Sequence, residues 1–173
     1  EDNYRSKTNM SGMNPKRFWK TVADGGHYQY MFNMLHLNQG DGYFSDVAQL
    51  ANVPSTDWSW SPLIADFDND GWKDLYITNG LMRDIRNNDA SKVYPKYLES
   101  ELWNYLQKNP SPPEDFTIWD VVDINKALEL VPSQKLVNYA YKNEGNLKFS
   151  KQMANWGMNQ ESFSAGSAYG DLD

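Results

Sequence analysis

The sequence predicts a mainly β fold that is interrupted by an α-helical insertion, and three observations lead to this prediction. Short β-branched and aromatic runs, such as Leu75-Tyr76-Ile77-Thr78, are bounded by turns rich in Gly, Asn and Asp. Between residues 81 and 132 the apolar residues instead recur at helical spacing. The segments on either side of this insertion resemble each other, and recurring units indicate a repeat architecture.

Residues 1–33 are interpreted as a lead-in followed by the first strand region. The polar part is expected to be a leading strand or an irregular segment, and its basic patch at residues 16–20 surrounds two aromatic side chains. Such a cluster could bind an anionic glycan, but an ordinary solvated surface is the favoured interpretation. Gly25-Gly26 predicts a turn, and residues 27–37 are rich in strand formers.

Residues 34–80 are predicted to form the first β unit. The segment Asn38-Gln39-Gly40-Asp41-Gly42 is a hairpin turn signal, and Tyr43-Phe44 begins the return strand. Further along, Trp58 and Trp60 alternate with small polar residues, which is the pattern of a half-buried strand. These two indoles could form a sugar-stacking platform, but filling the space between sheets is the favoured interpretation.

An Asp-rich loop follows, with carboxylates at relative positions 1, 3, 5 and 9 and a glycine at position 6. Alternate residues of a curled loop point their side chains inward, and glycine permits the backbone reversal that lets a carbonyl join them. Four carboxylates this close repel one another unless a cation neutralises them, and hard oxygen ligands favour calcium. The predicted ligands are the side chains of Asp66, Asp68, Asp70 and Asp74 and the carbonyl of Trp72.

Two other kinds of loop use similar residues. An EF-hand needs a bidentate Glu at position 12 between two helices, but that position is Ile77 and the flanking runs are typical of strands. An acidic, solvent-exposed Asx-turn would use the same residue types. Because four acids and Gly71 fall on ligand positions together, the calcium site is preferred.

Residues 81–132 are predicted to form the helical insertion. Helical spacing covers residues 93–106, and a second helix is expected over about residues 117–131, after a proline-rich break. The acids of this region could be read as catalytic carboxylates, but acids near a helix start more often serve the helix dipole. The acids concerned are Asp115, Asp120 and Asp123.

Residues 133–173 are predicted to form a second, truncated β unit. Residues 38–45 align without a gap onto residues 143–150, at an offset of 105 residues. The same offset brings the first two carboxylates of the calcium loop onto Asp171 and Asp173. These two acids are therefore predicted to begin a second, incomplete calcium loop.

The turn at residues 38–44, the Asp-rich loop and the strand and turn at residues 75–80 together resemble the VCBS/FG-GAP repeat family. Integrin α-subunit propeller blades are its best-known members. The resemblance implies that each repeat is one blade of a β-propeller, with a structural calcium site between two strands. It therefore implies about two blades of a larger β-propeller, and it does not extend over the helical insertion.

Composition excludes several classes of protein. The 173 residues carry a formal charge of −7 and have a pI near 4.8, which argues against nucleic-acid or anionic-membrane partners. No cysteine is present, so thiol catalysis and zinc ribbons are excluded, and no apolar run is long enough to span a membrane.

His27 and His36 lack a zinc-type partner three or four residues away, so packed or surface positions are favoured for both.

We therefore expect a non-enzymatic, calcium-stabilised binding or adhesion module that presents a surface to a protein or carbohydrate ligand. Extracellular calcium modules work at roughly 10⁻⁴ to 10⁻³ M calcium, so an extracellular, periplasmic or cell-surface location is expected. The chain begins at Glu1 and is expected to be a piece of a longer protein, whose exposed blade edges could self-associate. The alternative is part of a secreted polysaccharide-acting enzyme, with an active site completed by missing blades or by the insertion.

Overall fold

The computed structural model describes residues 15–28, 30 and 32–170, and these residues fall into two compact units. The first unit combines the described residues up to Leu81 with those from Lys135 onwards. The second unit comprises residues 82–134. The chain thus leaves the first unit once and returns to it, so the second unit is inserted in the sequence of the first.

The lead-in contains a helix, α1 (Pro15–Ala23), where a leading strand or an irregular segment was expected. Proline is well tolerated at the first helical position, and the ammonium of Lys20 pairs with Asp24 at 2.6 Å, one helical turn further along. These local contacts favour a helix, and the interpretation of the segment as a polar lead-in did not take them into account. The first strand also begins only at His36, so most of the expected strand at residues 27–37 is irregular among the described residues. Residues 1–14 lie outside the described residues.

Eight short strands form three antiparallel sheets among the described residues of the first unit. One sheet is the hairpin β1–β2, one has the order β3-β4-β6-β7, and one pairs β5 with β8. The strands are β1 (His36–Gly40), β2 (Tyr43–Asp46), β3 (Pro62–Ala65), β4 (Asp74–Ile77), β5 (Leu136–Val137), β6 (Tyr139–Asn143), β7 (Phe149–Lys151) and β8 (Glu161–Ser162).

The four-stranded sheet joins strands from both sides of the insertion. Strands β3 and β4 come from the predicted first unit at residues 34–80, and β6 and β7 come from the predicted second unit at residues 133–173. A four-stranded antiparallel sheet is the form of one propeller blade, so the sheets do not follow the expected division into two blades. A sequence repeat shows where motifs recur, but it does not determine which strands share hydrogen bonds. The described residues form no closed propeller.

The sequence repeat is visible in the two hairpins. Asn38 pairs with Phe44 across β1–β2, and Asn143 pairs with Phe149 across β6–β7. In both turns the asparagine Oδ1 accepts a hydrogen bond of 2.9 Å from the N–H of the glycine two residues further along. The same residue types therefore build the same turn in both copies, because the side chain and the backbone satisfy each other locally.

The core of the first unit lies on one face of the four-stranded sheet. Leu75 and Ile77 of β4 stand opposite Tyr141 and Tyr139 of β6, respectively. The segment that follows β2 covers this face with small and branched apolar residues. The buried cluster consists of Ala48, Ala51, Val53, Leu75, Ile77, Tyr139 and Tyr141.

The second unit contains two α-helices and a 3₁₀ helix among its described residues. They are α2 (Ala90–Lys108), the 3₁₀ helix Ile118–Asp120 and α3 (Ile124–Glu129). Asp120 forms a capping box with Thr117, and the Asp123 side chain accepts hydrogen bonds from the first turn of α3. Two of the three acids that were weighed as catalytic carboxylates therefore have the hydrogen bonds of helix caps.

Gly80 lies where β4 turns away from the sheet. Its φ is +115°, and a Cβ built at this position would lie 2.3 Å from the carbonyl oxygen of Ser162. The preceding Asn79 is fully buried, and its Oδ1 accepts hydrogen bonds of 2.9 Å from the N–H groups of Trp58 and Gly80. This position therefore requires glycine for both its conformation and its space.

We predict that Gly80→Ala lowers the free energy of unfolding by about 2–3 kcal/mol, because it adds backbone strain and a clash with a backbone carbonyl. Urea denaturation followed by circular dichroism measures the loss. The control is Gly166→Ala, where φ lies outside the left-handed region and a Cβ would meet no atom within 4 Å. Its effect should stay within about 0.5 kcal/mol. Equal losses of stability for the two variants would contradict the conclusion that position 80 requires glycine.

Asp46, at the end of β2, forms hydrogen bonds with the segment before the β1–β2 hairpin and with the segment after it. Its Oδ1 accepts hydrogen bonds from the N–H groups of Ala48 at 3.0 Å and of Leu35 at 3.1 Å. The hydrogen bond from Ala48, and then the one from Leu35, hold the pKa of Asp46 below its usual value. The charged form of this carboxyl therefore stabilises the folded state.

We predict that the stability difference between the parent protein and Asp46→Asn shrinks as the pH falls. A lowered folded pKa contributes stability above the unfolded value of about 3.9, and this contribution is lost as the pH falls through the folded pKa. The urea midpoints of the parent protein and of Asp46→Asn, measured between about pH 7 and pH 2, give the stability difference at each pH. Asp41→Asn, in the turn of the same hairpin, is the control. A difference that stays constant over this range would refute the role of Asp46.

Candidate metal centre

The Asp-rich loop joins β3 to β4, and its own carboxylates fold it. Asp66 directly follows β3, and its two oxygens accept hydrogen bonds from the N–H groups of Asp70 at 3.2 Å and Gly71 at 2.9 Å. The Oδ1 of Asp70 in turn accepts from the N–H of Trp72 at 2.9 Å. Asn69 and Gly71 both have positive φ, which curls the backbone around the first carboxylate.

Asp74 closes the loop and is fully buried at the start of β4. Its Oδ2 accepts a hydrogen bond of 2.9 Å from the N–H of Phe67, at the beginning of the loop. Its Oδ1 accepts a hydrogen bond of 2.9 Å from the N–H of Asn143, at the end of β6. The Nδ2 of Asn143 also donates to the carbonyl of Lys73 at 3.0 Å. The loop is therefore tied to the strand on the far side of the insertion.

Three of the predicted ligands converge in space. Asp66, Asp68 and Asp74 each offer a carboxylate oxygen, and these oxygens lie within 4.8 Å of one another. A set of oxygen donors, all carboxylates, suits a hard cation such as calcium and not zinc or copper. The residues present therefore fit the cation that the sequence predicts.

The remaining predicted ligands are placed differently. Asp70 is not a member of the converging group, and its two oxygens accept hydrogen bonds from the N–H of Trp72 and the ammonium of Lys142. The carbonyl of Trp72 remains a predicted ligand. Asp171 and Asp173, which were predicted to begin a second loop, lie outside the described residues.

A lysine sits against the loop and was missed by the sequence analysis. The Nζ of Lys142 donates to the Oδ2 of Asp68 and, at 2.7 Å, to the Oδ2 of Asp70. The hydrogen bond from Lys142, followed by that from the N–H of Trp72, lowers the pKa of Asp70. The bonds to Asp68 and Asp70 raise the pKa of Lys142, so the ammonium stays charged. No local signal could have identified this lysine, because it lies 74 residues from Asp68 in the chain.

The two tryptophans before the loop are not buried in a core. Trp58 is half-buried and Trp60 is 51% exposed, and their rings meet edge to face at 6.1 Å between centroids. The Nε1 of Trp60 donates to the carbonyl of Gly80 at 2.6 Å, which fixes this indole at the end of β4. The expectation that both rings fill space between sheets therefore does not hold for the described residues.

We predict that Asp74→Asn destabilises the protein by about 2–4 kcal/mol in the presence of a chelator. The amide that replaces one oxygen cannot accept a hydrogen bond, so one buried N–H group loses its partner and a charge-assisted bond is lost. Guanidinium denaturation with excess chelator measures the loss without any contribution from a cation. Asp115→Asn, in an exposed turn of the second unit, is the matched control. A loss no larger than that of the control would count against this role.

Comparison with known proteins identifies one family. The sequence model of FG-GAP-like repeats matches residues 22–77, which include the β1–β2 hairpin, β3, the Asp-rich loop and β4. Neither the curated proteins nor the solved structures gave a significant match to the chain. No helix in the described part of the chain has the length and apolar character needed to cross a membrane. Residues 22–77 of this chain are therefore similar to FG-GAP-like repeats.

Proposed function

We propose that this chain is a calcium-stabilised part of a β-propeller-type binding module. The observation that carries the proposal is the convergence of the carboxylates of Asp66, Asp68 and Asp74 at one loop of an FG-GAP-like repeat. Calcium bound there would offset part of the negative charge of the loop and link the end of β3 to the start of β4. We propose that Asp70 and the Trp72 carbonyl complete the ligand set.

The fixed geometry of the loop supports calcium as a structural ion. Asp66 and Asp74 are already held by backbone N–H groups of the loop and of β6. An incoming cation therefore meets carboxylates that are in place, and it loses less affinity to the ordering of side chains. Oxygen sites in extracellular modules fill at roughly 10⁻⁴ to 10⁻³ M calcium, so we propose an extracellular, periplasmic or cell-surface location.

The exposed hairpin supports the proposal that the sheets of this chain continue into further blades. By the repeat, β1 corresponds to β6, and β6 pairs on its other side with β4. Among the described residues β1 pairs with β2 alone, and nearly all residues of both strands are exposed. An open strand edge of this kind is normally covered by another strand, from the same protein or from another copy.

We propose a binding role and not a catalytic one. Asp120 and Asp123 serve as helix caps, and both oxygens of Asp74 already accept backbone hydrogen bonds. The ligand is proposed to be a protein or a carbohydrate, and the exposed indoles of Trp60 and Trp72 offer flat apolar surfaces for either.

We predict that calcium raises the melting temperature of the protein and that magnesium raises it less. A ligand that binds only the folded state stabilises by about 1.4 kcal/mol at ten times its Kd, which is what millimolar calcium gives at a Kd of roughly 10⁻⁴ M, and this corresponds to roughly 3–6 °C for a chain of this length. Thermal unfolding is recorded with excess chelator, with millimolar calcium and with millimolar magnesium. The absence of any calcium-dependent shift would refute the proposal.

Two variants test whether the calcium-dependent shift in melting temperature arises at the Asp-rich loop. Asp68→Ala should abolish the calcium-dependent shift, because it removes one of the three converging carboxylates. Asp115→Ala removes the same charge from an exposed turn of the second unit and should leave the shift unchanged. If Asp68→Ala keeps the full shift, the ion binds elsewhere.

A further inference from the structure

Lys142 occupies a place in the candidate metal centre that neither the repeat nor the calcium loop requires. Its ammonium bridges the carboxylates of Asp68 and Asp70. Asp68 is therefore shared, since it belongs both to the converging group of carboxylates and to this ion-pair network. The ammonium of Lys142 therefore forms ion pairs with two of the four acids of the loop.

The main chain holds Lys142 firmly in this position. Tyr141 before it is fully buried and pairs with Leu75 in the sheet, and Asn143 after it bonds to Asp74 and to the loop carbonyl of Lys73. The base of the lysine is therefore fixed, and only its flexible four-carbon stem can move. Its side chain is 26% exposed, so the ammonium has a route to solvent if another cation takes its place.

We propose that Lys142 is a built-in cation that competes with calcium for Asp68 and Asp70 and thereby sets the calcium affinity of the loop. The inference rests on the proposed calcium site. A divalent ion on Asp68 would lie close to the ammonium, and like charges at short distance in a partly buried site repel each other. Binding of calcium therefore requires the ammonium to leave Asp68. Without calcium, the ammonium offsets part of the repulsion among the carboxylates and keeps the loop closed.

The internal repeat shows that the hairpin itself does not need this lysine. The residue at the corresponding position of the first hairpin, at the offset of 105 residues, is Leu37, which lies in β1. The two hairpins have the same register and the same turn hydrogen bond, although one has an ammonium and the other an apolar side chain at this point. The lysine is thus a feature of the loop that faces it and not of the hairpin that carries it.

Calorimetric titration with calcium chloride tests the proposal on the full chain. We expect Lys142→Met, which keeps the stem and removes the charge, to bind calcium at least about tenfold more tightly than the parent protein. We also expect it to melt lower in chelator and to gain more from calcium, because the loop then depends on the ion. The control is Lys148→Met, which removes an exposed charge from the same hairpin and should leave the affinity unchanged.

The possible results separate this inference from the proposed function. Equal calcium affinities for the parent and Lys142→Met would overturn the competition and leave the calcium site intact. Binding by neither protein would overturn both proposals. Binding by Lys142→Met alone would support competition in its strongest form, with the lysine excluding calcium from the parent, and would contradict calcium binding by the parent.

A second measurement needs no variant and holds even if Lys142→Met does not fold. The side-chain ammonium signal of Lys142 can be followed by nuclear magnetic resonance in the parent protein labelled at its lysines. In chelator we expect the slow proton exchange of an ammonium bonded to carboxylates, and with saturating calcium we expect the fast exchange of a solvated ammonium. An ammonium that stays protected at saturating calcium would overturn the proposal.

Discussion

The first unit depends on the carboxylate of Asp74, which is fully buried and bonded to two backbone N–H groups. One belongs to Phe67 at the start of the loop, and the other belongs to Asn143 at the end of β6. A buried charge is tolerated only when hydrogen bonds replace its lost hydration, and here both bonds come from segments that must be correctly folded. The loop, β4 and β6 are therefore ordered together.

The pairing of β4 with β6 explains how one sheet can contain a long insertion. The register that pairs Ile77 with Tyr139 places the end of β4 beside the start of β6, so the chain leaves and re-enters the sheet at neighbouring positions. The entropy cost of closing such a connection rises only slowly with its length, and in the second unit the 3₁₀ helix and α3 have side-chain caps of their own. The insertion therefore does not have to open the sheet.

The features that sequence analysis predicted are those determined by residues close together in the chain. The turn of each hairpin is specified by an asparagine and a glycine two residues apart, and the Asp-rich loop by its own spacing and by Gly71. The pairing of β4 with β6 and the contact of Lys142 with Asp68 join residues on opposite sides of the insertion, and no local pattern encodes them. The helix α1 was missed for another reason, since its segment was interpreted as a polar leading strand or irregular lead-in although the Lys20–Asp24 pair has helical spacing.

The four acids of the loop have two different roles, and this division determines what a cation can do there. The oxygens of Asp66 and Asp74 accept hydrogen bonds from backbone N–H groups, and these bonds hold the shape of the loop. The carboxylates of Asp68 and Asp70 form ion pairs with the ammonium of Lys142. In the proposed competition, these two carboxylates exchange the ammonium for calcium. If calcium binds here as proposed, its affinity would depend on how readily the ammonium of Lys142 leaves Asp68.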